Sequence, residues 1–187
     1  MERDTRSHGR RKRTPKPLDR ARLEELALAY VARFATSASK LERYLVRKLR
    51  ERGWDGEGEP PVATLVARYV DLGYVDDEGF ARAKSGSLLR RGYGVRRIRQ
   101  SLAEAGISED IRERIGTNEQ GQRQAALALA RKRRFGPFGL QPLDRPAREK
   151  QIAAMMRAGH PLDSAREMID APNVDAAEQW VAEAGEN

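Results

Sequence analysis

The sequence predicts an all-α fold, an elongated and curved array of three tandem three-helix repeats. Apolar residues recur at steps of three and four along most of the chain, which is the period of an amphipathic helix, and no alternating strand pattern competes with it. Gly53, Gly106 and Gly159 are spaced by 53 residues, and each follows an apolar residue by four positions. Equal spacing in the same helical context indicates repeated units that bury one another's apolar faces, although helix-ending glycines can also coincide in spacing.

The first repeat is assigned to residues 19–73. Its three helices are expected to begin at Asp19, at the capping box Ser39–Glu42 and at Pro60–Pro61, and to end at Thr36–Ser37, Gly53 and Gly73. A serine followed three residues later by a glutamate satisfies two free N–H groups at a helix start. Glycine is favoured just after a helix because it adopts the left-handed conformation without strain.

The second and third repeats are assigned to residues 74–116 and 117–172. The helices of the second are expected to run from Asp76 to Gly92 through Phe80, Ala83 and Leu88, from Val95 to Gly106, and from Ser108 to Ile115. Those of the third are expected at Glu119–Arg134, at Asp144–Ala158 and from Pro161 or Leu162 to Asp170, with a Gly- and Pro-rich connection at residues 135–142. The same order of three helices therefore occurs three times.

The two ends of the chain differ from the repeats. Residues 1–18 are rich in arginine and lysine and contain Pro15 and Pro17, with almost no apolar side chains, so they are expected to form a disordered basic arm. The formal net charge of the chain is +8, and the nine Lys and Arg residues among residues 1–22 supply most of the excess. Residues 173–187 form an acidic tail with Trp180, which is expected either to form a final amphipathic helix or to fray.

Side chains with catalytic or metal-binding chemistry are scarce. The chain has no cysteine and only two histidines, His8 and His160, so thiolate and multi-histidine metal sites are not predicted and a Ser-His-Asp triad is hard to build. The acids Asp76, Asp77 and Glu78 lie at a predicted helix start, where capping and the helix dipole favour carboxylates. We therefore interpret these acids and His160, at a predicted turn, as structural, and we expect no enzyme activity and no cofactor.

The candidate partner-binding residues form three basic clusters at comparable places in the repeats. They are Arg43, Arg47, Lys48 and Arg50; Arg90, Arg91, Arg96, Arg97 and Arg99; and Arg131, Lys132, Arg133 and Arg134. Arg96 and Arg99 are three residues apart and are predicted to share a helix face opposite the apolar residues. Guanidinium groups bind phosphates and carboxylates through paired hydrogen bonds, so the clusters predict an anionic partner; the alternative is a solvated face paired with neighbouring acids.

Aromatic side chains are few in this chain. Tyr30, Phe34, Tyr44, Tyr69 and Phe80 occupy apolar helix positions and are expected to lie in the core. A surface on which nucleic-acid bases could stack is therefore not predicted.

Three segments resemble the bacterial RecX regulatory proteins. They are ALAYVARFATSASKLERYLVRKLRERG at residues 27–53, LGYVDDEGFA at residues 72–81, and RRGYGVRRIRQSL at residues 90–102 with a following AGI. The resemblance covers roughly residues 23–170. It implies a crescent of three-helix repeats that binds the RecA recombinase filament on single-stranded DNA and limits recombinase activity in DNA repair, recombination and the SOS response.

The expected function is therefore regulation of the RecA filament by binding, mainly by inhibition. The alternative is a stand-alone helical nucleic-acid-binding protein that acts through phosphate contacts, with single- or double-stranded DNA as its partner. The chain contains no apolar run of about 18 residues, and its basic N-terminus is not followed by the apolar stretch of a secretory signal. We accordingly expect a cytoplasmic monomer that does not bind membranes.

Overall fold

A computed structural model of the chain describes residues 16–185, which form ten α-helices and one 3₁₀ turn at Gly136–Phe138. The helices are α1 (Arg20–Arg33), α2 (Ala38–Arg52), α3 (Val62–Asp71), α4 (Asp77–Arg90), α5 (Val95–Glu104), α6 (Glu109–Arg114), α7 (Glu119–Arg133), α8 (Arg145–Arg157), α9 (Leu162–Asp170) and α10 (Val174–Glu183). The prediction of an all-α fold is confirmed. Within residues 16–185 no strand forms, and Leu18 and Trp54 make an isolated β-bridge.

Three helices begin at aspartates where the sequence analysis places their starts. Asp19, Asp76 and Asp144 each accept a hydrogen bond from a backbone N–H in the first turn of α1, α4 and α8, at 2.8–2.9 Å. At the other end of α2, Gly53 has a φ of 81°, a conformation that glycine adopts without strain. Local chemistry therefore determines these boundaries.

The start of α2 differs from the prediction, because Ser37 is the N-cap and Ser39 lies inside the helix. The Ser37 hydroxyl accepts a hydrogen bond from the Lys40 N–H at 3.3 Å and donates one to the Ala105 carbonyl at 2.6 Å. The hydrogen bond to Ala105 joins two residues that are distant in sequence. A contact between distant parts of the chain, which no local pattern reveals, therefore accompanies the cap at Ser37, two residues before the predicted Ser39.

The buried apolar side chains form three separate clusters. The first extends from Leu18 to Val75, the second from Ala81 to Ile107 and the third from Ala126 to Val181. They lie among α1–α3, α4–α6 and α7–α10, respectively, and we call these three sets of helices the first, second and third units. The second and third units also pack against each other through α4 and α7.

Both ends of the described chain extend the outer clusters beyond the expected boundaries. Leu18, assigned to the disordered arm, is fully buried, and its N–H donates to the Gly53 carbonyl at 3.0 Å. The remainder of the predicted arm through residue 15, including His8, lies outside the described residues. At the other end, the tail forms α10, which packs on α7 and buries Ala177 and Val181. The third unit therefore has four helices.

One prediction about a buried side chain is wrong, and one apolar residue of α4 points away from the core. Ala83 is exposed, because α4 turns Ala81 and Ser85, which are four residues apart, towards the second cluster. Phe34, expected in the core, is 50% exposed. Because α1 ends at Arg33, Phe34 takes an extended conformation that removes its side chain from the buried face of the helix.

The middle helices of the three units, α2, α5 and α8, are placed end to end. A Cβ atom at Gly106, after α5, would overlap the side chain of Ser39 in the first turn of α2. A Cβ atom at Gly94, before α5, would overlap the backbone of Gly159, which follows α8. At Gly53 a Cβ atom would meet nothing within 4 Å among the described residues. Two of the three equally spaced glycines thus mark the places where one middle helix ends against the start of another.

Candidate binding surface at the junctions between units

Backbone groups join the second and third units. The N–H groups of Gly94 and Arg96, at the start of α5, donate to the carbonyls of Ala158 and Gly159 at 3.0 and 3.1 Å. Because α5 has no side-chain cap, the end of α8 supplies acceptors that its first turn would otherwise lack. This arrangement fixes the start of α5 against the end of α8, and we call this contact the seam.

His160 fills the turn at this seam, as the sequence analysis expects. Its side chain is 1% exposed, and its Nε2 lies 3.0 Å from the carbonyl oxygen of Gly92. Since a carbonyl can only accept, Nε2 carries the proton in the neutral ring. Burial lowers the pKa of His160, and the hydrogen bond to Gly92 opposes this effect.

A groove of about 260 Å³ opens beside the seam, and we call it the second junction groove. It is lined by Arg91, Tyr93, Leu129, Lys132, Arg133, Phe135, Ala154, Arg157 and Ala158. The four cations come from the end of α4, from α7 and from α8, and the described residues that line the groove include no carboxylate. The guanidinium of Arg91 lies 5.4 Å from the ring centroid of Tyr93.

A second hollow, of about 380 Å³, lies next to this groove, and we call it the side hollow. Its lining consists of Arg96, Arg97, Gln100, Met156, Arg157 and Gly159. Arg157 lines both cavities and so joins them into one basic surface. Arg96 and Arg99, which the sequence predicts to share a helix face, are both exposed on α5. Arg96 lines the side hollow together with Arg97, and Arg99 lines neither cavity.

The positive charge of this basic surface has no partner among residues 16–185. Its cations are Arg91, Arg96, Arg97, Lys132, Arg133 and Arg157, all exposed, and none makes an ion pair with a described carboxylate. Neighbouring arginines differ, since Arg148 pairs with Asp170 between α8 and α9. Concentrated and uncompensated charge of one sign attracts ligands of the opposite sign.

The junction of the first and second units carries a comparable groove of about 370 Å³, the first junction groove. It is lined by Tyr30, Lys40, Arg43, Tyr44, Arg47, Lys84, Ser101, Glu104 and Ala105. The rings of Tyr30 and Tyr44 stack with centroids 4.2 Å apart, and Arg43 donates to the Glu104 backbone carbonyl at 3.1 Å. This groove is also basic, but its lining includes a carboxylate.

Two lysines in the first junction groove share one aromatic ring. The ammonium groups of Lys40 and Lys84 lie 4.9 and 5.8 Å from the centroid of Phe80. Burial lowers the pKa of Lys84, and the neighbouring charge of Lys40 lowers it further. An anion bound between the two ammonium groups would relieve this repulsion.

The two junction grooves occupy equivalent positions in successive units. Ser101, Glu104 and Ala105 line the first, and Ala154, Arg157 and Ala158, each 53 residues later, line the second. The shared position arises because α5 and α8 end in the same way against the preceding unit. Glu104 and Arg157 therefore place opposite charges at the same point of two related grooves.

The structure brings some predicted site residues together and leaves others apart. Arg91, Lys132 and Arg133 meet in the second junction groove, Arg96 and Arg97 in the side hollow, and Arg43 and Arg47 in the first junction groove. Lys48 instead pairs with Glu51 at 2.6 Å, and Arg131 pairs with Glu178. Arg90 and Arg99 are exposed and line none of these three cavities.

Sequence reasoning missed Lys40, Lys84 and Arg157. The repeat offered a signal for Arg157, because a shift of 53 residues from Glu104, close to the end of α5, leads to it. Lys40 and Lys84 gave no comparable signal, since α2 and α4 meet only in the folded chain.

The acids interpreted as structural all have structural partners. Asp76 caps α4, the Asp77 carboxylate accepts the Ala38 N–H at 2.8 Å across the first junction, and Glu78 pairs with Arg82. Among residues 16–185, no three His, Cys, Asp or Glu side chains come together as a metal site. In the same range, every helix is too short or too polar to cross a bilayer.

Comparison with known proteins supplies the family. The regulatory protein RecX of Myxococcus xanthus is 35% identical over 165 residues, which span 83% of this chain and 88% of the relative. This chain belongs to the RecX family. The regulatory protein RecX of Deinococcus radiodurans is 34% identical over 123 residues, which span 65% of this chain and 57% of the relative.

Further likenesses agree with membership of the RecX family. The family model described as RecX, second three-helix domain, matches residues 76–115. The crystal structure of RecX from Lactobacillus salivarius covers 87% of this chain and is itself covered to 96%, with a TM-score of 0.62 and 18% identity. Another crystal structure of a regulatory protein RecX covers 80% of this chain and is covered to 70%, with a TM-score of 0.60 and 24% identity. These two structures share the fold.

Membership of the RecX family also gives the class of function. A RecX-family protein is a regulatory protein and not an enzyme.

Proposed function

We propose that this chain binds the RecA recombinase filament and limits its activity in DNA repair and recombination. The observation that carries the proposal is the basic surface at the second junction, where cations from α5, α7 and α8 and from the end of α4 converge without a described carboxylate partner. The RecX resemblance implies the identity of the partner. We further propose that the chain acts as a monomer in the cytoplasm.

The convergence of the cations at a rigid seam supports recognition of a defined surface. Arg96 is held by its own backbone hydrogen bond to Gly159, and Arg157 lies in the last turn of the helix that ends there. Fixed backbone positions reduce the conformational entropy that binding must remove. Arg91 is further oriented by its contact with Tyr93.

The test is suppression of the single-stranded-DNA-dependent ATP hydrolysis of RecA, with this chain titrated at substoichiometric ratios and fixed salt. Simultaneous substitution of Arg91, Arg96 and Arg97 by Glu should raise the concentration needed for half-maximal suppression by more than about tenfold, because each reversal replaces an attraction by a repulsion. The three side chains are exposed, so the fold should persist.

The matched control replaces Arg33, Arg68 and Lys150 by Glu. These residues are also exposed, lie outside the basic surface and change the net charge equally. The control should suppress ATP hydrolysis as the wild-type chain does. Equal loss in both variants would show that net charge matters and that the basic surface is the wrong choice.

Direct binding to DNA is the competing outcome of the same titration. Suppression that appears only when the DNA is saturated, together with a steep loss of DNA affinity as salt rises, would indicate a phosphate-binding protein without a protein target. Suppression well below one molecule per RecA subunit would support the proposed filament binding.

A further inference from the structure

We infer that the second junction groove binds an acidic peptide segment that carries one apolar side chain, and that Arg157 gives the groove this specificity. The inference rests on the proposed function, since it names the kind of partner segment that the same surface would hold. It is carried by the rim and the floor of the groove and by its comparison with the first junction groove.

The rim of the groove is suited to carboxylates. Arg91, Lys132, Arg133 and Arg157 approach it from three helices or helix ends, and all four are exposed and without an ion pair among residues 16–185. Guanidinium groups bind carboxylates through two parallel hydrogen bonds, which gives directional recognition. A segment with several acidic side chains would therefore be attracted and oriented by this rim.

The floor of the groove is apolar. Leu129 is 8% exposed and is part of the third core cluster, and Ala154, Ala158 and Phe135 are partly buried beside it. Burying an apolar side chain of the partner on this floor would remove both surfaces from water. Charges around a small apolar floor match a peptide in which acidic residues flank one apolar residue.

The same floor is poorly suited to the bases of a single-stranded nucleic acid. Stacking of bases requires the open face of an aromatic ring. The guanidinium of Arg91 lies over the ring of Tyr93, and Phe135 is packed against the third cluster. The rest of the floor is aliphatic, so a peptide fits the groove better than a nucleic acid does.

The first junction groove shows which residue sets the difference. Glu104 occupies the position that Arg157 takes in the second groove, and the stacked rings of Tyr30 and Tyr44 line the first groove. A carboxylate at this position repels an acidic segment, whereas a guanidinium attracts it. Among the lining positions related by 53 residues, Arg157 is therefore the one that replaces a negative charge of the first groove by a positive charge.

The experiment measures fluorescence anisotropy of a labelled peptide of about ten residues in which one leucine is flanked by aspartates and glutamates. The same peptide with serine in place of leucine tests the floor, and a labelled oligothymidine of similar charge tests nucleic acid. The proteins are the full chain, R157E, R157Q and the control K150E. R157Q removes the charge without adding a carboxylate near the end of α8, and Lys150 lies on α8 outside the groove.

We expect saturable binding of the leucine peptide by the full chain. The affinity should fall about tenfold in R157E and by a smaller factor in R157Q, and it should stay within about twofold of wild type in K150E. The serine peptide should bind more weakly than the leucine peptide. Equal weakening by R157E and K150E, equal binding of the two peptides, or tighter binding of oligothymidine that is lost in R157E would each overturn the inference.

Failure of this inference is distinguishable from failure of the proposed function. Absence of peptide binding, with suppression of RecA ATP hydrolysis that still depends on Arg91, Arg96 and Arg97, would reject the peptide inference only. Peptide binding that depends on Arg157, in a chain that does not suppress RecA, would support the chemistry of the groove and reject the proposed function.

Discussion

His160 connects a single side chain to the stability of the second junction. It is almost fully buried, and its Nε2–H donates to the Gly92 carbonyl, so the neutral ring fits the site. Burial lowers the pKa of His160 below its ordinary value of 6.5. In the unfolded chain the ring takes up a proton at a higher pH than it does in the folded chain.

The stability contributed by neutral His160 should therefore be complete above about pH 6.5 and decrease as the pH falls below that value. Thermal unfolding midpoints measured at about pH 7.5 and about pH 5.5 test this expectation. The decrease should be smaller in H160Q, because an amide can donate to Gly92 without titrating. An equal decrease in both proteins would assign the pH dependence to other groups.

Helix α4 contains two residues that lower its stability. Gly86 lies in its interior and costs conformational entropy on folding, and the buried hydroxyl of Ser85 has no hydrogen-bond partner among the described residues. Ser85 and Gly86 both lie inside the helix, so no turn requires a serine or a glycine at these positions. The element is held mainly by its packing against α5, α6 and α7.

Replacing Gly86 by Ala should raise the free energy of unfolding by about 0.5–1 kcal/mol. A Cβ atom at this position meets only the flexible end of Arg90, at 3.3 Å. The contrasting variant is G92A in the turn after the same helix, where φ is +83° and a Cβ atom would lie 2.8 Å from the Leu129 nitrogen. Urea unfolding should show stabilisation by the first and destabilisation by the second; stabilisation by both would mean that the turn can move.

Sequence predicts elements well where local chemistry sets their limits. The caps at Asp19 and Asp76 and the glycine after α2 were found because each acts on residues of its own helix. Prediction failed where a residue that is distant in sequence determines a helix start or the burial of a side chain. Ser37 is fixed by Ala105, and the burial of Leu18 depends on its bridge to Trp54.

In the candidate site, too, the sequence predicts what is local and misses what depends on distant residues. The sequence singled out Arg91 and Lys132 as members of separate clusters, but their meeting depends on how α4 packs on α7. Arg157 was missed because it stands apart from any run of basic residues, although it lies one repeat spacing after Glu104. Charge clusters along a chain therefore identify candidate residues, and packing between units selects among them.

At the scale of the molecule, we propose that the three clusters represent three structural repeats joined at two junctions, the first by hydrogen bonds between side chains and backbone and the second by hydrogen bonds between backbone groups. The seam between the second and third units is especially close, because Gly94 contacts Gly159 and the Gly159 carbonyl accepts the Arg96 N–H. Rigid contacts of this kind leave no room for a side chain. The relative placement of the units therefore depends on single glycines.

Replacing Gly94 by Ala should destabilise the protein by about 1–3 kcal/mol, because its methyl group would overlap the backbone of Gly159 and His160. The φ of Gly94 is −79°, so the substitution adds no backbone strain. Hydrogen exchange should show lost protection at the N–H groups of residues 94 and 96. G86A, whose Cβ atom meets only the flexible end of the Arg90 side chain, should leave that protection intact; retained protection in G94A would contradict the seam.

The contacts between units also order events during synthesis on the ribosome. The N-terminus of α2 receives the Asp77 carboxylate, and its cap Ser37 is held by Ala105, so the first unit acquires its final hydrogen bonds only after the second has emerged. The start of α5 likewise waits for Gly159. Among these three middle helices, α2 has the cap Ser37, which also bonds the second unit, and α5 has no side-chain cap. The cap of α8, Asp144, lies immediately before its own helix. The first two units are thus completed by the units that follow them, and the start of α5 gains its last backbone hydrogen bonds only after the end of α8 has left the exit tunnel.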